Sequence, residues 1–244
     1  MRTIFMAAVA SIVTGGAAVA ADLQAPPLVA RPPMPPSWSG LYLGVNAGGG
    51  LGNGRSDFSV VGIGPFASVN NSLQGVIGGG QIGYNLQSGP FVYGVETDFQ
   101  GSGVRGSLTA PGCSAAVCGI PLSATYSEKV PWFGTARARV GYGPSDWLIY
   151  ATGGYAYARV STDASATAGP AIAAFSMKET RSGWTVGGGI EVALTHNWSA
   201  KVEYLYMDFG RHSTNWTLAG LPIAINDSSL VTLNVVRGGV NYKF

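Results

Sequence analysis

Charge is scarce in this 244-residue chain: Lys, Arg, Asp and Glu make up 11% of it, against about 25% in an ordinary globular domain. Its 14 basic and 12 acidic residues are scattered, for a net charge of +2. With no basic stripe, a nucleic-acid partner is excluded. Two histidines and two cysteines form no constellation that suggests a cofactor or a metal. Beyond the N-terminus no run reaches the 18 apolar residues of a spanning helix. That absence leaves barrel strands open, because they are short and alternating and hydropathy sees them poorly.

Glycine, by contrast, is abundant, at 37 residues, roughly twice the usual ~7%. The chain opens with Arg2, an apolar run from Ile4 to Val13 and the small-residue pattern Ala18-Val19-Ala20, which reads as a signal peptide over 1–20, cleaved after Ala20. Its apolar part is about ten residues, too short for a spanning anchor. Residues 21–37, "ADLQAPPLVARPPMPPS", carry repeated prolines and are expected to form an extended periplasmic leader. The remainder, 38–244, is one domain.

Eight alternating runs follow one another: 41–50, 75–87, 91–103, 129–143, 146–162, 181–194, 198–209 and 230–244. The links at 88–90, 143–146 and 195–197 are short and rich in turn residues. Those at 51–74, 104–128, 163–180 and 210–229 are long. Strict alternation of short and long links is the pattern of an all-β, eight-stranded antiparallel up-and-down transmembrane barrel, with short periplasmic turns and long external loops. An even strand number leaves both chain ends on one side.

Period-2 alternation assigns the faces. Phe91, Tyr93, Val95 and Phe99 oppose Glu96 and Asp98; Trp132, Ala136 and Val140 oppose Arg137 and Arg139; Trp184, Val186 and Ile190 oppose Glu191; Trp198, Val202 and Tyr204 oppose Lys201 and Glu203. The last run sets Val240, Tyr242 and Phe244 against Arg237, Asn241 and Lys243. In a soluble sandwich the apolar faces would point inward; in a membrane barrel they meet lipid. Aromatics at the strand ends, with small and β-branched residues between them, favour lipid. Glycine repeats such as "IGGGQIG" and "VGGGIE" suit the tight interior of a small barrel; none stands in a phosphate-binding fingerprint. The fifth run resists assignment: with Leu148, Tyr150 and Thr152 on lipid, Tyr155, Tyr157 and Arg159 change sides unless a bulge at Gly153-Gly154 resets the register.

Nine inward charges, Glu96, Asp98, Arg137, Arg139, Glu191, Lys201, Glu203, Arg237 and Lys243, include both signs on neighbouring strands. They are expected to pair across the lumen, since a barrel of eight strands is filled by side chains. Cys113 and Cys118, in "CSAAVC", fall in an external loop, where an oxidising compartment favours a local disulfide.

The segments "WSGLYLGVNAGGG", "GGGQIGYNLQ", "FVYGVETDF", "ARARVGYG", "YATGGYAYA", "GWTVGGGIEVALTHNWSAKVEYLYMDFG" and "VRGGVNYKF" together resemble the small alphaproteobacterial porin-like outer-membrane proteins of the RopB type, whose barrel is similar to OmpA and OmpX. The resemblance implies a Gram-negative outer-membrane location, contact with lipid and lipopolysaccharide, and insertion by the barrel-assembly machinery, with Val240, Tyr242 and Phe244 as the C-terminal assembly signal. Some barrels of this size are lipid A-modifying enzymes with His and Ser near the outer rim, which draws attention to Asp208, His212 and Ser213. Adjacent strand residues point to opposite faces, however, and no third partner is evident, so no enzyme is expected. The expected role is support of the envelope and surface interactions with host or other ligands through the external loops. A narrow porin-like channel and a surface receptor, for example for haem as in some relatives, are the alternatives.

Overall fold

The computed structural model describes residues 37–60, 64–110, 122–168, 171–217 and 224–244. The expected signal peptide, nearly all of the Pro-rich leader, and Cys113 with Cys118 lie outside the described residues.

Eight strands form the fold: β1 (Gly40–Val60), β2 (Gly64–Ser88), β3 (Phe91–Ala110), β4 (Leu122–Tyr142), β5 (Trp147–Ala168), β6 (Ala171–Ala193), β7 (Trp198–Thr217) and β8 (Ala224–Lys243). Each pairs antiparallel with the next, and β1 pairs with β8 to close the barrel. Closure leaves no edge whose N–H and C=O groups would meet hydrocarbon unpaired. The short connections sit at one end, with Ser37, the first described residue, and Phe244. There Gly89 takes a φ of 58°, and Thr195 Oγ1 accepts the backbone N–H of Trp198 at 3.0 Å. By the usual arrangement of such barrels this end is periplasmic.

The strands run to 20–25 residues, about twice the 9–11 that a bilayer requires. Segments expected as long loops are therefore largely ladder: Leu51 to Val60 continue in register against β8 and, as far as Phe58, against β2, and Ser161 to Ala168 against β6. In these extensions both sheet faces are mostly polar, with inward Ser56, Asn71 and Glu128 buried. The apolar/polar contrast that marks a strand in sequence disappears there, while backbone hydrogen bonding continues regardless.

Along the lipid face, Val45, Val76, Val95, Val202 and Val236 are each more than half exposed. Aromatic residues bound this band. Phe91, Tyr142, Trp147, Trp198, Tyr242 and Phe244 form the periplasmic girdle. At the outer girdle Phe99 stacks on Trp132 at 5.6 Å, Trp132 meets Tyr157, and Trp184 meets Tyr206.

Strand β5 needs no bulge at Gly153-Gly154: it pairs with β6 without interruption. The lipid set is Trp147, Ile149 and Tyr155, while Leu148, Tyr150 and Thr152 are buried in the lumen. The apolar-outward rule misleads at Leu148 because the barrel floor is itself apolar, with Leu148 packed beside Trp38, Val92 and Tyr150.

Inward glycines set the bore. A Cβ on Gly48 would lie 2.1 Å from the Val236 carbonyl oxygen and 2.6 Å from Arg237 Cα, and one on Gly154 would lie 2.2 Å from the Ala136 oxygen and 2.8 Å from Arg137 Cα. At both places the missing side chain lets an arginine-bearing strand pass close by.

Candidate functional site

Midway through the membrane band, four carboxylates (Glu96, Asp98, Glu191, Glu203) meet four cations (Arg137, Arg139, Lys201, Arg237) inside the barrel. The lumen layer is thus charge-neutral. Each of the eight residues is at most 4% exposed. Arg137 is the hub, donating to Glu96 at 2.5 Å and Asp98 at 3.1 Å beside it, and across the bore to Glu203 at 2.9 Å. From the far wall Arg237 donates to Glu203 at 2.6 Å and Asp98 at 3.0 Å. Lys201 reaches both oxygens of Glu96, at 2.9 and 2.8 Å. Strands β3 and β4 are thereby tied to β7 and β8, which are not their ladder neighbours.

A second set of polar groups completes the layer. Tyr42 donates to Glu96 at 2.7 Å and Tyr150 to Glu203 at 3.0 Å, while Thr135 donates to Asp98 at 2.7 Å. Arg139 pairs with Glu191 at 2.8 Å and lies 4.0 Å from the centre of the Tyr150 ring. Glu191 also accepts from Asn241 at 2.7 Å, and Asn241 accepts from Gln81 at 2.8 Å. Buried charges are tolerated when most of their lone pairs and protons are matched in this way; among the described residues only Asp98 Oδ1, Arg139 Nε and Arg237 Nη1 of these eight charged groups are left without a hydrogen bond. These neutral partners share the inward parity of the charges, and that parity is the signal by which the sequence could have pointed to them.

Lys243 stands apart from the network. It is partly exposed at the periplasmic mouth, where its ammonium donates to the Ser37 carbonyl. One more inward step along β8 past Asn241 leaves the bore altogether, so its inward parity places it at the rim. Beside it Trp38 is buried, its indole N–H donating to the Ser145 carbonyl at 3.1 Å and its backbone N–H to Gln87 at 2.8 Å.

Outward of the charges the lumen turns apolar. Along β7 the inward positions after Glu203 are Leu205, Met207 and Phe209; along β8 those beyond Arg237 are Val235, Leu233 and Val231; Phe133, Val104 and Ile77 come from other walls. All are at most 5% exposed. In the sequence these residues continue the inward parity of the charges, but without a polar residue to mark the face.

At the outer rim, Arg181 bonds Glu179 and donates to Ser229 at 2.5 Å. Asp208, His212 and Ser213 form no relay. Asp208 accepts the Gly210 N–H at 2.8 Å, His212 Nε2 lies 3.3 Å from Glu179, and Ser213 is 3.5 Å from Ser228. A bulge between Asp208 and Arg211 separates the first from the other two.

Residues 7–244 match the family model described as outer membrane protein beta-barrel domain. The 31 kDa outer-membrane immunogenic protein of Brucella melitensis biotype 1 is 38% identical over 266 residues, covering 100% of both chains. The 22 kDa outer membrane protein of Rhizobium leguminosarum bv. viciae is 34% identical over 177 residues, covering 71% of this chain and 65% of the relative. Among solved structures, the outer membrane protein OprG from Pseudomonas aeruginosa aligns with a TM-score of 0.53 at 13% identity, over 84% of this chain and 96% of its own. The outer membrane protease OmpT from Escherichia coli aligns with a TM-score of 0.55 at 11% identity, over 84% and 97%. Both likenesses are of fold alone. Closed sheet, lipid-facing aromatic girdles and near full-length relatives converge on one assignment: the chain belongs to the outer membrane protein beta-barrel family, as an alphaproteobacterial-type small barrel of the outer membrane.

Proposed function

We propose that this protein is a closed, non-enzymatic barrel that supports the envelope and presents its outer strand extensions for surface interactions. The observation that carries this reading is the two-layer filling of the lumen. A neutral ion-pair layer spans the bore from β3 and β4 to β7 and β8, and an apolar layer lies directly beyond it. A hydrated solute would have to displace the first and wet the second, and hydrophobic constrictions close pores by dewetting. The separation of Asp208, His212 and Ser213 supports the non-enzymatic part, because a base and its nucleophile must be within hydrogen-bond reach. Val240, Tyr242 and Phe244 all face lipid, a geometry that suits a C-terminal strand offered to the assembly machinery.

Single-channel recording of the refolded barrel in planar bilayers tests the reading. The native protein is expected to be silent. A Glu96→Ala/Arg137→Ala variant is expected to stay silent too, because the apolar layer remains. Stable conductance by the native barrel would instead make it a channel.

A further inference from the structure

The outward surface just beyond the external girdle is electrically lopsided. On the β3–β6 wall, Arg105 lies opposite Lys129 in the ladder, Lys129 opposite Ser161, Ser161 opposite Lys178, and Arg159 opposite Trp132. Four cations thus occupy four adjacent strands within a width of about 15 Å, at ~4.8 Å per strand spacing. Among the described residues the only acid on this patch is Asp163. It is already engaged, accepting from Ser176 at 2.8 Å and pairing with Lys129 at 3.4 Å. Arg105, Arg159 and Lys178 make no ion pair among the described residues. Across the barrel, Arg55 and Arg211 are instead matched by Asp57, at 3.3 and 3.5 Å.

The backbone is irregular at the same place, as it is at Asp208 to Arg211 on the other wall. The ladders slip between Gly101 and Val104 and again between Lys129 and Trp132, around Pro131. Bulges re-aim side chains and interrupt a regular surface. Here they lay open an outward groove of about 620 Å³ lined by Lys129, Trp132, Arg159, Asp163 and Lys178. Beneath it the stacked pair Phe99–Trp132 and the neighbouring Tyr157 face the membrane. Girdle aromatics mark the level where acyl chains end and headgroups begin.

We propose that this groove is a binding site for the phosphate groups of an outer-leaflet glycolipid of the lipopolysaccharide class, with its acyl chains lying on Phe99, Trp132 and Tyr157. Arginine forks grip phosphate oxygens in pairs and lysines add point charge. An apolar floor directly below a cationic groove fits an amphiphile better than a free anion, which would use the charges alone. The site goes beyond the closed-barrel reading and stands whether or not the lumen conducts.

The test uses the full barrel refolded in detergent micelles and native mass spectrometry, with bisphosphorylated lipid A as the probe. One-to-one binding is expected. A Lys129→Ala/Arg159→Ala variant is expected to bind about thirtyfold more weakly, as removal of two interfacial cations implies, while Arg55→Ala/Arg211→Ala on the opposite wall binds as the native protein does. Heat-shifted gel mobility confirms that each variant is folded, and Lys129→Ala/Lys178→Ala replaces any that is not. Equal weakening by both wall variants, equal binding of dephosphorylated lipid A, or displacement of the lipid by millimolar inorganic phosphate or a soluble sulfated polysaccharide would each overturn the proposal. Single-channel silence is read separately, so this inference and the closed-barrel reading fail independently.

Discussion

Replacing Arg137 with methionine isolates the electrostatic role of the hub, because methionine keeps an unbranched apolar stem of similar length and leaves little cavity. Breaking a buried ion pair by removing one partner costs about 3–5 kcal/mol. Three carboxylates and the hydroxyls of Thr135 and Thr152 lose a donor here, but no carboxylate is stranded. Glu96 retains Lys201 at 2.8 Å, and Asp98 and Glu203 retain Arg237 at 3.0 and 2.6 Å. The lower end, ~3 kcal/mol, is therefore expected, most of it from the uncompensated negative charge left in the bore. Adding Glu96→Gln restores neutrality, so the double variant is expected to be more stable than the sum of the two single changes by about 1–3 kcal/mol. Urea unfolding from phosphatidylcholine vesicles, followed by tryptophan fluorescence and heat-shifted mobility, measures all four proteins. An Arg137→Met barrel within ~0.5 kcal/mol of native, or a strictly additive double variant, would refute the idea that charge balance holds this layer together.

Two further outcomes follow from the same geometry. Gly48→Val puts a side chain where only 2.1 Å separates the Cβ position from the Val236 oxygen; the variant is expected to yield no heat-modifiable barrel on refolding, whereas Val45→Ala on the lipid face refolds. Phe244→Ala removes an exposed ring whose residue keeps its backbone bond to Leu41 at 3.0 Å, so it is expected to refold in vitro like the native chain yet accumulate unassembled in cells, and normal assembly in cells would deny Phe244 a signalling role.

What was legible in the sequence was whatever depends on neighbours two residues apart. Glu96 and Asp98, Arg137 and Arg139, and Lys201 and Glu203 each sit against an apolar outward set, and the structure places all six inward. Where that contrast fails, so does the reading. Leu148 and Tyr150 look like lipid-facing residues but furnish the floor and a Glu203 partner. Leu205 and Met207 share the parity of Glu203, but apolar residues on both faces erase the alternation that would mark them as inward. The outer strand extensions were lost for the converse reason, since both of their faces are polar.

By itself, the sequence determined the strand count, the membrane-facing sets of most strands, and the placement of both ends on one side, because pleat and turn chemistry are local. Only the tertiary structure decided that β1 closes on β8, that Arg137 meets Glu203 from 66 residues away, and that an apolar plug lies beyond the charges. It also decided that cations from four strands gather on one outer wall. Each of these depends on the shear and closure of the barrel, which set what stands opposite what across the bore and around the rim, and no window along the chain contains that information.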